Sequence, residues 1–286
     1  MSRILVVNVN TDADVTAAIR ASARAAASPG TEVDAVQPLF GPASVESNFE
    51  SYLSAVAVMD RVVTYPGHVD AVVQAGFGEH GREGLQDLLD VPVVDITDAA
   101  AHVAMLVGRT FGIVTSLDRT VPAIRDRLRS AGLAERCAGV RAVGLGVGEL
   151  GADRAATAAA FTAAARRVVA EDGAEVVVLG CAGMAGLAER VAPALAVPVV
   201  DGVAAAVRLA ESLVALGLRT SKVRSYARPK AGPVSGWPVS GPARRAVDLD
   251  GRAGSRHAAR GAAGAAAEGP GHERSGQRGT GVGAGR

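Results

Sequence analysis

Short apolar runs recur along the first 200 residues, at 3–8, 33–36, 70–75, 92–96, 111–115, 140–144, 175–180 and 198–200. They are rich in Val and Ile and mostly continuous rather than alternating. A strand with one wet face alternates, whereas a continuous run marks a strand buried on both faces, the habit of parallel sheets. Between the runs lie Ala-, Arg- and Glu-bearing segments with helical spacing, at 12–27, 47–64, 97–106, 118–131, 152–171, 185–195 and 202–216. Strand and helix in regular alternation predict an α/β fold with right-handed crossovers.

The pattern also repeats on itself. The segment Val176 to Gly186 (V-V-V-L-G-C-A-G-M-A-G) aligns with Ala71 to Gly81 (A-V-V-Q-A-G-F-G-E-H-G), which sets Cys181 on Gly76. Arg61-Val62-Val63 recurs as Arg167-Val168-Val169, and Val91-Pro92-Val93-Val94-Asp95 as Val197-Pro198-Val199-Val200-Asp201. Ala18-Ile19-Arg20 recurs as Ala123-Ile124-Arg125. Matches in one order at an offset of 105 or 106 residues predict two equivalent halves. The first spans 1–107, closed by the C-terminal helix region, and the second spans 108–229. Each is expected to be a three-layer α/β/α sandwich of about four parallel strands, pseudo-symmetric with the other, with the active site in the cleft between them.

Composition narrows the class. The chain has 286 residues, 49% of them apolar and 21% charged, with a net charge of +1. That suits one large core or two smaller ones and lacks the basic excess of a nucleic-acid binder. Aromatic residues make up 3%, too few for a base-stacking surface. Two cysteines do not make a disulfide framework, and no Cys/His spacing suits zinc, so no zinc site is expected. No stretch reaches the roughly 18 apolar residues of a membrane span, and the N-terminus enters a strand directly. A cytoplasmic protein with no membrane partner is expected. Residues 230–286 hold fourteen glycines and few large apolar side chains. Such a low-complexity tail cannot bury enough surface to offset its ordering entropy and is expected to be disordered.

Ligands of parallel sheets bind beyond the carboxyl ends of the strands. The residues there are Asn8 and Asn10, Ser44, Gly76 to His80, Thr115 and Ser116, and Cys181 to Gly183. Small residues dominate, leaving backbone N–H groups for a carboxylate or an enolate-like oxyanion. Cys181 closes a strand and precedes the expected 185–195 helix, whose dipole would lower its pKa towards a usable thiolate. Cys137 reads instead as a small core residue. Asn8 and Asn10 suit an imide or ureido group, or simply bond their own turn. Ser44 and Glu46 line the pocket or cap the following helix. Thr115 and Ser116 hold a substrate carbonyl, or only cap a strand end.

The motifs go further than their chemistry. V-L-G-C-A-G-M at 178–184, N-x-N at 8–10, G-P-A-S-V-E at 41–46, F-G at 77–78, D-G-A-E at 172–175 and L-V-A-L-G-L-R-T-S-K-x-x-S-Y at 213–226 stand in one order. Together they resemble the hydantoin and allantoin racemases of the aspartate/glutamate racemase superfamily, over roughly residues 3–229. The resemblance implies a cofactor-independent isomerase in which two cysteines face each other across a carbon beside a carbonyl. It implies a hydantoin, ureido or carboxylate substrate bound near Phe77, Gly78, Ala182 and Gly183, and a homo-oligomer is expected. Cys181 matches one family cysteine. The other belongs at position 76, where the family writes C-F-G-D-P-G and this chain writes G-F-G-E-H-G. Val9 likewise replaces a usual proline. Three readings follow. Glu79 or His80 supplies the missing acid/base; or Cys181 alone protonates one face, in the manner of arylmalonate decarboxylases; or the chain binds such molecules and catalyses little.

Overall fold

The computed structural model describes residues 1–230. The first half runs β1 (Ser2–Asn8), α1 (Ala13–Ala26), β2 (Thr31–Val36), α2 (Asn48–Val63), β3 (Ala71–Ala75), α3 (Arg82–Leu88), β4 (Val93–Asp95) and α4 (Ile96–Val107). The second runs β5 (Phe111–Thr115), α5 (Val121–Ser130), β6 (Cys137–Ala142), α6 (Arg154–Ala170), β7 (Val176–Leu179), α7 (Ala188–Val191), β8 (Val199–Asp201) and α8 (Gly202–Ala215). The sheets have orders β2-β1-β3-β4 and β6-β5-β7-β8, parallel throughout. The second order is the first shifted by four strands, so the α/β fold class expected from the pattern is the one observed.

The continuous apolar runs now have a cause. In β1, Ile4 and Val6 point into one apolar cluster while Leu5 and Val7 point into another beside α2. In the second sheet, Ile113 and Val178 face one way and Val114, Val177 and Leu179 the other. Both faces of the inner strands β3, β5 and β7 and of the last five residues of β1 are dry, whereas the edge strand β6 is half-buried throughout. Ile4 and Val6 share their cluster with Ile113 and Val178, so one core lies between the sheets. The helices between them mix the halves: α8 packs on α1, α4 and β3, while α4 also touches β7.

The repeated V-P-V-V-D is a strand followed by a cap. Asp95 accepts from the amides of Thr97 and Asp98, and Asp201 from those of Val203 and Ala204, satisfying N–H groups that the first turn of a helix leaves unpaired. Ser47 caps α2, taking the role expected of Ser44 or Glu46.

Three elements differ from the pattern reading. The 185–195 segment is not one helix but the four-residue α7, preceded by a 3₁₀ turn at Ala182–Met184 and followed by another at Ala192–Ala194. Gly186 at φ +76° and Pro193 keep it broken. β6 starts three residues earlier than expected, at Cys137, and its pairing with β5 shifts register between Phe111 and Gly112. Helix α3 carried no signal, since only one of its seven residues, Leu85, is buried. The expectation for the tail concerns, past Lys230, residues outside those described.

A buried ion cluster fastens the halves. Arg127 on α5, with 3% of its side chain exposed, reaches Glu83 and Asp98 at 2.6 Å and Glu79 and Asp95 at 3.2 Å. Arg82 joins at Asp98, 2.7 Å away. Both guanidiniums are held firmly charged against the cost of burial by these carboxylates.

Candidate active site

The carboxyl ends of β1, β3, β5 and β7 converge on a cavity of about 50 Å³, room for a few waters. Asn8, Gly76, Thr115 and Cys181 come from the four strand ends in turn, and His80 from the loop after β3. Of the residues expected there, Asn10, Phe77, Ser116, Ala182 and Gly183 also line it. Ser44, Gly78 and Glu79 do not.

Each absentee has another task. Ser44 Oγ donates to Glu46 Oε1 at 2.8 Å, and the same oxygen accepts from the Val147 amide at 3.1 Å. This clasp joins a first-half loop to a second-half loop, and their neighbours Val45 and Val147 form the rim of the cavity. Gly78, at φ +122° where a side chain would be strained, donates its amide to Thr97 Oγ1 at 2.8 Å and fixes the turn. Glu79 turns outward to the Gly81 amide at 2.8 Å and to Arg127. Burial, with Glu83 beside it, raises its pKa to about 7.

The polar wall is largely spent on itself. Asn8 Nδ2 donates to Asn10 Oδ1 at 2.7 Å and to Thr16 Oγ1 at 3.0 Å, so its amide holds the turn. Asn10 Oδ1 also accepts from the Asp12 amide at 3.0 Å. Among the described residues no protein acceptor engages Asn10 Nδ2, which leaves it for a ligand. Thr115 Oγ1 donates to the Gly180 carbonyl at 3.0 Å, stitching β5 to the turn that carries Cys181. Ser116 accepts the amides of Gly144 and Leu145 on its carbonyl.

The thiol differs from its expectation. No α-helix opens at Cys181, only a 3₁₀ turn, so there is no long dipole to lower its pKa. Burial raises it to about 11 instead; the Gly183 amide pulls it down, while the Glu46 carboxylate adds to the rise and the Met184 amide opposes it. At neutral pH Cys181 rests as a thiol. Cys137 is a half-buried residue packed against the shared core, likewise raised to about 11 by burial.

His80 is half-buried, and desolvation by the surrounding protein lowers its pKa to about 4, so it rests neutral. Its Nδ1 lies 3.0 Å from Ser51 Oγ and its Nε2 3.4 Å from the Phe77 carbonyl. The buried Gln74 on β3 donates Nε2 to the His80 carbonyl at 3.4 Å. Sequence reading missed Val15, Val45, Thr120 and Val147 in the cavity wall and Ser51 behind it. Apolar loop residues and a helix-borne serine carry no motif of their own.

Two parallel sheets of one strand order, with a cavity at their carboxyl ends and a cysteine in its wall, define a duplicated α/β fold. A family model described as Asp/Glu/Hydantoin racemase matches residues 4–210, and the chain belongs to that family. It is 40% identical over 229 residues to a hydantoin racemase of Paenarthrobacter aurescens, covering 79% of this chain and 97% of that one. An allantoin racemase from Pseudomonas fluorescens superposes with a TM-score of 0.80 at 60% identity, covering 82% of this chain and 100% of that one. An allantoin racemase from Klebsiella pneumoniae gives 0.80 at 41% identity, with 82% and 97% covered. No helix among the described residues is long and apolar enough to cross a membrane.

Proposed function

We propose that the chain racemises a five-membered cyclic ureide, a 5-substituted hydantoin or allantoin, at the carbon beside a ring carbonyl. The observation that carries this reading is Cys181 on the turn after β7, opening into a cavity shared with the strand ends of the other sheet. The family's relatives supply the substrate class. No cofactor is required, because the neighbouring carbonyl takes up the electrons of the broken C–H bond as an enolate. In this reading Asn10 Nδ2 donates to a ring carbonyl, and a donor to developing negative charge stabilises it; the support is that Asn10 lines the cavity. Cys181 carries a proton on one face. As a thiol it delivers one; as the thiolate left behind it takes one in the reverse direction.

The cavity is small as it stands, and parting of the Glu46–Val147 clasp beside its rim would widen it for a ring. A closing rim of this kind excludes water from the enolate.

The test is incubation in D₂O with enantiopure hydantoins and allantoin, following optical rotation and C–H exchange together. Loss of rotation with deuterium incorporation is expected, and Cys181→Ser should lower the racemisation rate by about 10²- to 10⁴-fold, the usual worth of one positioned acid/base. No exchange with any ureide, together with CO₂ release from an arylmalonate, would replace the proposal with one-face decarboxylation.

A further inference from the structure

We propose that His80, rather than a second thiol, exchanges a proton with the substrate from the wall opposite Cys181; this rests on the racemase reading above. The argument begins with Gly76. Its backbone lies outside the left-handed region, so conformation alone would admit a side chain. Space does not. A Cβ built there would lie 2.4 Å from Val9 Cγ1 and 2.5 Å from His80 Cδ2, well inside contact distance. The imidazole and Val9 occupy the place a residue-76 side chain would take. Three positions at which the chain departs from the racemase pattern, 9, 76 and 80, therefore meet at one point in space. A proton-carrying ring stands where the resemblance expects a thiol.

The hydrogen bonds set the ring's chemistry. Ser51 has one hydroxyl hydrogen, and it goes to the Glu79 carbonyl. Towards His80, Ser51 Oγ is then an acceptor, so Nδ1 carries the hydrogen of the neutral ring. Nε2 is left with a lone pair that faces the Phe77 carbonyl, 3.4 Å away, in the resting ring; the ring turns towards the cavity to take a proton and on turning back donates it to that carbonyl. The arrangement is that of a base whose protonated form has acceptors waiting on both nitrogens. Ser51 acts as a positioning residue. Glu79 stands next in the chain but points to Arg127, outside the cavity.

The step balances as follows. Nε2 takes the proton from the stereogenic carbon, and the C–H electrons pass to the carbonyl oxygen. The enolate re-forms its C–H bond on the other face with the proton of the Cys181 thiol, whose electrons remain on sulfur. Imidazolium and thiolate result, which is the form that processes the product enantiomer in reverse. Transfer of one proton through solvent restores the resting pair.

The experiment compares the full chain, His80→Asn and Cys181→Ser in D₂O, with each enantiomer of a 5-substituted hydantoin and of allantoin. In His80→Asn, racemisation should fall at least about 100-fold, while one enantiomer still exchanges its C–H for deuterium with retained rotation, through Cys181. Cys181→Ser should show the mirror pattern, exchange confined to the other enantiomer. The split between enantiomers is a readout that simple loosening of the loop would not produce. Racemisation by His80→Asn within a few-fold of the parent overturns the proposal and leaves the racemase reading standing. Equal loss of exchange for both enantiomers in a variant with native circular dichroism also overturns it, assigning His80 a structural role. An inert parent chain overturns both readings.

Discussion

The turn after β3 and the turn after β7 occupy equivalent places in two sheets of the same strand order, yet they are held and equipped in different ways. The Cys181 turn is a 3₁₀ turn stitched by Thr115 to the Gly180 carbonyl and by the Gly186 amide to Asp201 Oδ2 at 3.1 Å. It presents its chemistry at Cys181, the residue that aligns with Gly76. The Gly76 turn has nothing at that position and brings His80 back from four residues later. That detour needs Gly78 and Gly81 in left-handed conformations and an ionic anchor around Arg127. Duplication keeps where a strand ends; it does not keep which residue lines the cavity from there.

The comparison breaks most completely at the anchor. Arg127→Met would leave Asp95, Asp98, Glu83 and Glu79 without their shared counter-charge. Removing one partner from a fully buried ion cluster costs about 3–5 kcal/mol; here Arg82 still pairs Glu83, Asp95 and Asp98, and Glu79 and Glu83 are nearly half exposed, so the loss falls at the lower end of that range. Urea unfolding followed by circular dichroism should show a loss of that size. The protein should also lose the ordered Gly76 loop first, with hydrogen exchange rising at residues 78–83 before it rises at 181–186. Parallel loss at both turns would mean that Arg127 supports the whole molecule rather than one of them.

How much of this was legible in the chain follows from the same asymmetry. The sheets were readable because both faces of β1, β3, β5 and β7 are dry, so apolar runs such as Ile4-Leu5-Val6-Val7 are unbroken. The cysteine turn was readable because a motif carries it. The other wall was not. His80 and Glu79 are adjacent polar residues, and only the packing of Val9 against Gly76 and the pull of Arg127 on Glu79 separate one from the other. The thiol's state was misread for a related reason. A strand followed by small residues suggests a helix dipole, whereas Gly186 and Pro193 leave only short turns, and burial then decides. Helix α3 was invisible because its face is mostly wet.

A second, smaller perturbation sharpens the comparison at position 76. Gly76→Cys would make the two turns formally alike, but its Cβ falls on Val9 and His80. Overfilling a packed site costs about 1–3 kcal/mol. Thermal unfolding should therefore show Gly76→Cys well below the parent. The triple variant Val9→Ala/Gly76→Cys/His80→Ala should recover most of the loss, and by supplying a thiol in the vacated space it should racemise better than His80→Ala alone. An undiminished melting temperature in the single variant would show that the loop yields easily and that His80 does not fill a fixed space.

The least effect is expected at the clasp, where charge and access can be told apart. Glu46 raises the Cys181 pKa and also bonds the Val147 amide across the rim. In a Cys137→Ser background, iodoacetamide alkylation against pH reports Cys181 alone. Its folded pKa of about 11 reflects burial first and the Glu46 carboxylate as a further contribution, so Glu46→Gln should move the midpoint down without reaching the ordinary thiol value. A half-unit fall multiplies the thiolate fraction at pH 8 on the order of threefold. Opening the rim has a different signature, because easier access raises the rate by one factor at every pH and leaves the midpoint in place. A shifted midpoint assigns Glu46 to the electrostatics of the Cys181 wall. A uniform rise assigns it to the gate, and then the two walls of the cavity differ in their chemistry but are closed by one shared clasp.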